Sequence, residues 1–471
     1  MNTNPLFKSD SYKLSHWLQY PHNTSKYFGY GEARGGKYKQ SLMFGMEILL
    51  QHNLSKPIKV EHIQEMEEFA ALHGEPFNKT GWMHIVNKYG GYWPVTIMAA
   101  KEGEIIPERN VLYTVESEED PLAFWAGSYI EAQVLRGIYY PTTVATKSHQ
   151  CKETIYHFLK LTADDPANEL LFKLHDFGAR GVSSGESAEI GGCAHLVNFL
   201  GSDTMEGVWT ANKFYKSAMA GFSIPAAEHS TITSWLRSGE KDAYINMIKQ
   251  YGKQGAMFAV VSDSWSIKAA CEMWAGELKE LVVNSGATLV VRPDSGDPEA
   301  IIPMCLERLA DGYGYTINSK GYKVLNNVRL IQGDRVSNSM IANILGKMMV
   351  LGWSASNIAF GMGGELLQII NRDDGGWAMK CSWLEVDGEG RDIYKDPDTE
   401  PYKKSKKGQM MLYKDCEDKY FSAEPGLDNA SWMDKVVLPT AQLELRFKIG
   451  EIFNSPTLGE VRYPTWSKFG Q

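Results

Sequence analysis

Between about residues 171 and 368, short apolar runs alternate with amphipathic stretches, and no other feature limits the possible folds so strongly. The run in "ELLFKLHDFG" precedes "SSGESAEIGGCAHLVNF", "AMFAVVSDS" precedes "WSIKAACEMWAGELKELVV", and "ATLVVRPDSG" precedes "DPEAIIPMCLERLADG". "VRLIQGD" and "NIAFGMGG" continue the pattern, each ahead of a helical stretch. Strands that are apolar without alternation are buried on both faces, the condition of a parallel sheet wrapped by helices. The fold class read from this is α/β: an irregular β/α barrel over residues 166–370. A second, mixed α+β domain is expected from the two flanks, 1–165 and 371–471, neither of which shows a clear core alone.

The residues that end these runs are His175 and Asp176, Asp203, Glu228 and His229, Asp263, Arg292 with Asp294, Asp334, and Gly363 with Gly364. In a β/α barrel such positions converge on the one face that carries active sites. Any one of them alone reads more simply as a helix N-cap. The stretch "GFSIPAAEHSTITSW" poses the choice most sharply, since Glu228 and His229 either cap a helix starting near Ser230 or do chemistry.

The residue types narrow that chemistry. Carboxylates bind sugar hydroxyls or a divalent cation, and a pair of them can hydrolyse glycosides. Arg292 near Asp294 instead offers a fork for an anion beside a hydroxyl acceptor, which suits a phosphorylated sugar. "GMGGE" adds glycine amides that an anion can approach closely. A two-acid glycoside hydrolase is therefore the weaker reading. "GYGEARGG" puts Arg34 where a dinucleotide fingerprint needs its third glycine, so it reads as a loop presenting Arg34 to an anion. "YKDPDTEPYKKSKKG" is either a solvated loop or, at the barrel mouth, a source of Lys395 and Lys403 for a polyphosphate.

Composition bears on partners and compartment. A formal net charge of -9 argues against a nucleic-acid-tracking surface. The six cysteines fall singly, with no C-x-x-C pair, and no apolar run reaches membrane-spanning length. A cytoplasmic protein without nucleic-acid or membrane partners is expected.

Taken in order, "SDSYKLSHWLQYPHNTSKY", "YYPTTVATKS", "KLHDFGARGVSS", "AHLVNFLGSDT", "SIPAAEHSTITSW", "VVSDSW", "VVRPDSGDP", "NIAFGMGGELLQ", "KCSW" and "KKSKKG" cover about residues 8 to 410. In these the chain resembles the nicotinamide phosphoribosyltransferases, a family of type II phosphoribosyltransferases. The resemblance implies a homodimer with shared active sites that joins nicotinamide to 5-phosphoribosyl 1-pyrophosphate. The products are nicotinamide mononucleotide and pyrophosphate; Mg²⁺ assists, and ATP drives the reaction through a phosphohistidine. It implies that Phe177 and the partner subunit's Tyr12 sandwich the pyridine ring, that Asp203 accepts from the carboxamide, and that Arg292 lies near base and ribose. Asp294, Arg180, Gly333, Asp334, Gly363 and Gly364 would hold the phosphoribosyl group, with Asp263 at the ribose or a metal-bound water. No direct metal ligand is assigned; Mg²⁺ would sit on the phosphates, with Asp263 and Asp294 as the carboxylates within reach. Arg34, Arg372, Lys380, Lys395 and Lys403 would surround the pyrophosphate or the ATP phosphates. His229 would accept the phosphoryl group, with Glu228 or Asp263 as the partner of its other ring nitrogen. A nicotinate phosphoribosyltransferase of the same fold is the nearest alternative, and Asp203 speaks against it by repelling a carboxylate substrate. Two departures from the family stand out: Ala179 where a tyrosine is common, and Glu365 where the family has glycine, expected to face away from the phosphate.

Overall fold

The computed structural model describes residues 4–400, 403–425 and 440–471. The chain forms two compact units: Met1–Thr146 with Lys213–Lys216 and Asn371–Thr465, and Lys147–Asn212 with Ser217–Ile370 and Trp466–Gln471.

The first unit is built from both flanks, as the sequence suggests. Its seven-stranded antiparallel sheet has Thr24–Ala33 near the centre, between Val111–Ser117 and Trp377–Val386. The N-terminal flank thus pairs directly with the C-terminal one, for instance Tyr30 with Lys380. Arg446, fully buried, meets Glu47 at 2.8 Å and Glu102 at 3.3 Å, and the Tyr215 hydroxyl donates to Glu102 at 2.8 Å. Buried charges persist only when paired in this way.

The second unit carries the barrel. Six parallel strands, β1 (Leu174–Asp176), β2 (Gly201–Ser202), β3 (Met257–Val261), β4 (Thr288–Arg292), β5 (Val328–Gln332) and β6 (Ile358–Met362), lie in the order β2-β1-β6-β5-β4-β3. Residues 222–227, read from sequence as the end of a strand, make only isolated bridges, yet they join the two open edges. The Ser202 amide donates to the Phe222 carbonyl at 3.0 Å, and the Ala227 amide to the Ala259 carbonyl at 2.9 Å. Pro225 has no amide to donate, which keeps this stretch irregular. Through it the ring closes in chain order.

Phe258, Val260, Leu289, Val291, Leu330, Phe360 and Met362 are buried to within about one per cent. Each such side chain contributes on the order of 2 kcal/mol to keeping the strands covered. The helices that follow the strands take their caps from outside the set of strand-end residues. Ser184, Ser266 and Ser337 accept from the amides of Ser187, Ala269 and Met340, and Asp297 accepts from Glu299. Asp263 and Asp294 are therefore not needed as caps.

Candidate active site

A cavity of about 530 Å³ opens where the barrel strands end. It is lined by Phe177, Ala179, Arg180 and Gly181 after β1, by Asp203 after β2, and by Glu228, His229 and Ser230. Arg292 and Asp294 come from the end of β4, Gly333 from that of β5, and Gly363 and Gly364 from that of β6.

His229 opens a short helix, His229–Thr233, whose N-cap position Glu228 occupies without a side-chain capping bond. The Glu228 carboxylate instead accepts from the Ser230 hydroxyl, so Glu228 is not the partner of the imidazole. That partner is Asp263: its Oδ1 lies 3.1 Å from His229 Nε2, and its side chain is only 4 % exposed. A carboxylate at Nε2 fixes the proton there and leaves Nδ1 as the nucleophilic nitrogen. Nδ1 faces the cavity's other carboxylate, 3.9 Å from Asp294 Oδ2.

Arg292 Nε and Nη2 both donate to Asp294 Oδ1, at 3.0 and 2.7 Å. The guanidinium carbon also stands 5.5 Å from the centre of the Phe177 ring. Phe177 is positioned from below by Gly361 of β6: a Cβ there would fall inside the ring. Asp203 accepts from the Ser223 hydroxyl through Oδ1 and leaves Oδ2 for a ligand. The turn after β1 is held by Asp176, whose Oδ1 accepts from the Gly178 amide at 2.7 Å. Burial pushes the Asp176 carboxyl up to about 6, and the charge of Asp203 adds to this. On the far rim, Gly181 packs so closely that a Cβ would come 2.9 Å from the Gly364 amide nitrogen.

Several expected residues stand elsewhere. Gly333 lines the cavity whereas Asp334 does not; its carboxylate turns toward Arg335, 3.5 Å away. Asp263 touches His229 and does not line the cavity itself. The helix expected to start near Ser230 starts one residue earlier, at His229. Tyr12, Arg34, Arg372, Lys380, Lys395 and Lys403 belong to the first unit, and the cavity is lined by the second alone. Lys403 pairs with Glu400 at 2.6 Å, and Arg372 with Asp373 at 3.4 Å.

A second cavity of about 450 Å³ shares Phe177, Asp203 and Arg292 with the first and reaches Lys173 and Arg329. Ala226, Ala259 and Ala359 line it together with Val290 and Ile331, and small side chains at such positions leave room where a filled barrel is packed. Burial lowers the Lys173 ammonium to about 8 and lowers His175. Neither this hollow nor Ser223 was legible in the sequence; the serine directly after the strand-like "AGF" offered the one local signal.

Known proteins resemble this chain in fold and in sequence. A solved nicotinate-nucleotide pyrophosphorylase from Pyrococcus furiosus superposes with a TM-score of 0.65 at 15% identity, covering 100% of this chain and 98% of that one. The two chains therefore share one fold. More particularly, the chain belongs to the nicotinate phosphoribosyltransferase (NAPRTase) family, whose model matches residues 172–426, and residues 4–97 match the N-terminal domain of nicotinamide phosphoribosyltransferase. It is 50% identical over 413 residues, 88% of each chain, to a nicotinamide phosphoribosyltransferase of Xanthomonas campestris pv. campestris. A nicotinamide phosphoribosyltransferase of Acinetobacter baylyi is 27% identical, over 98% of this chain and 96% of its own.

Proposed function

We propose that the chain is a pentosyltransferase that moves the 5-phosphoribosyl group from 5-phosphoribosyl 1-pyrophosphate to nicotinamide, yielding nicotinamide mononucleotide and pyrophosphate. The observation that carries this reading is the convergence on one rim of an aromatic platform, an amide-accepting carboxylate and a carboxylate-flanked histidine: Phe177, Asp203 and His229. Phe177 stacks on the pyridine ring and Asp203 Oδ2 accepts from the carboxamide. A nicotinate carboxylate at the same place would meet the Asp203 charge. Asp294 holds ribose hydroxyls, and Arg180 with the amides of Gly333, Gly363 and Gly364 holds the 5-phosphate. The bond from the anomeric carbon to pyrophosphate breaks as the bond to the ring nitrogen forms, and Asp294 steadies the positive charge between the two.

ATP is the co-substrate. Its γ-phosphoryl group passes to His229 Nδ1, the bond to ADP breaking as the P–N bond forms, while Asp263 keeps the proton on Nε2. Water later hydrolyses the P–N bond. Among the described residues no group of three His, Cys, Asp or Glu side chains is gathered around a metal position. Mg²⁺ would be carried by the substrate phosphates, with Asp263 and Asp294 as the carboxylates within reach through water, and would neutralise the leaving group. Cytoplasmic siting rests on six cysteines, none of them in a disulfide. No described helix is long and apolar enough to cross a membrane.

A homodimer with shared sites is proposed from the family resemblance, and exposed apolar side chains in the barrel unit and at its edge fit a covered face: Met205 is 83 % exposed, Leu236 69 % and Met219 51 %. In that assembly the partner's Tyr12 closes the pyridine sandwich, and Arg34, Arg372, Lys380, Lys395 and Lys403 supply phosphate charge. One experiment tests the histidine and the sharing together. His229→Asn loses the acid-labile label from γ-labelled ATP, and Tyr12→Ala loses nicotinamide affinity. Co-refolded, the two variants recover about a quarter of wild-type turnover, because random pairing leaves that share of sites intact. Label retained by His229→Asn contradicts the histidine assignment; no recovery contradicts the shared site.

A further inference from the structure

Glu365 is a charge in an awkward place. It lies directly after Gly363 and Gly364, whose amides line the cavity, and in the first turn of the short helix Gly364–Leu367. A carboxylate free to swing there would compete with a phosphate for the same amides and repel it. The side chain does not line the cavity. Its Oε1 accepts from Lys147 Nζ at 2.6 Å, and the same ammonium donates to the Glu365 carbonyl and, at 3.5 Å, to that of Ile369. Lys147 is 4 % exposed, so its charge has few partners other than these. One buried cation thus binds the carboxylate, the carbonyl of the same residue and a carbonyl beyond the helix end.

We propose that Lys147 and Glu365 are a positioning pair for the phosphate cradle. Lys147 fixes the turn after β6 from behind and withdraws the Glu365 charge from the Gly363 and Gly364 amides. The inference rests on the placement of the 5-phosphate at those glycines. Its signature is an asymmetry. Removing the cation alone releases a carboxylate beside the phosphate, whereas removing both charges does not.

The test compares Lys147→Met, Glu365→Gln and the double variant in full-length protein, by steady-state kinetics with each substrate varied and by thermal melting. Lys147→Met is expected to raise KM for 5-phosphoribosyl 1-pyrophosphate about tenfold or more while KM for nicotinamide stays within about twofold. The double variant is expected to return to within about threefold of wild type even if its melting temperature is no better. A double variant as impaired as Lys147→Met overturns the proposal, as does a Lys147→Met variant with unchanged KM. Arg180→Ala, which reaches the cradle without touching the pair, separates the two layers of the argument. If it raises KM for 5-phosphoribosyl 1-pyrophosphate and Lys147→Met does not, the pair alone falls. If neither variant changes that KM, the phosphate lies elsewhere and both readings fall.

Discussion

Asp176 shows how a side chain that need not touch substrate can set the state of a site. Its carboxyl, one residue before Phe177, is buried and accepts from the Gly178 amide. Because burial raises its folded-state pKa from 3.8 to about 6, the folded protein holds this proton more tightly than the unfolded chain does. The resulting stabilisation is complete below about pH 4 and is lost as pH rises through 6, which leaves a cost on the order of 3 kcal/mol at pH 8. Asp176→Asn keeps the acceptor for Gly178 and discards the charge. Calorimetry is expected to find the variant melting higher than wild type at pH 8 and no higher at pH 4.5. An offset that does not vary with pH would contradict the account. His229 shows the complementary case, an exposed ring given a defined proton by a nearly buried Asp263.

Strand β6 does two jobs: its end supplies Gly363 and Gly364, and its Gly361 makes room for Phe177. Gly361→Ala pushes the ring off its seat, and loss of one aromatic contact is expected to raise KM for nicotinamide about tenfold. The KM for 5-phosphoribosyl 1-pyrophosphate should change much less; an unaltered nicotinamide KM would mean that Phe177 is not the platform. The strands themselves were legible in sequence because burial on both faces leaves an unbroken apolar run, and their polar ends were legible because the runs stop there. The choice between Glu228 and Asp263 for His229 was not, since neighbours along the chain diverge once a helix starts at His229. Nor was the hollow interior: Ala226, Ala259 and Ala359 line it from separate elements, and no local period records that. The direction of the Asp334 side chain was not legible either: the strand end it follows presents Gly333 to the cavity and turns the carboxylate toward Arg335.

The chain as a whole divides its labour. One unit holds the barrel rim with Phe177, Asp203, His229 and the glycine amides, and the other, woven from both flanks, carries Tyr12 and the cations expected at the phosphates. The flanks could be assigned to one domain from sequence only by elimination, since the pairing of Thr24–Ala33 with Trp377–Val386 spans most of the chain. The central claim is that this rim transfers a phosphoribosyl group to nicotinamide under ATP control. The direct measurement supplies purified protein with 5-phosphoribosyl 1-pyrophosphate and Mg²⁺, offers nicotinamide or nicotinate with and without ATP, and quantifies mononucleotide, pyrophosphate and ADP. The account predicts nicotinamide mononucleotide with equimolar pyrophosphate, increased by ATP with release of ADP, and little product from nicotinate. Nicotinate mononucleotide as the main product would contradict it.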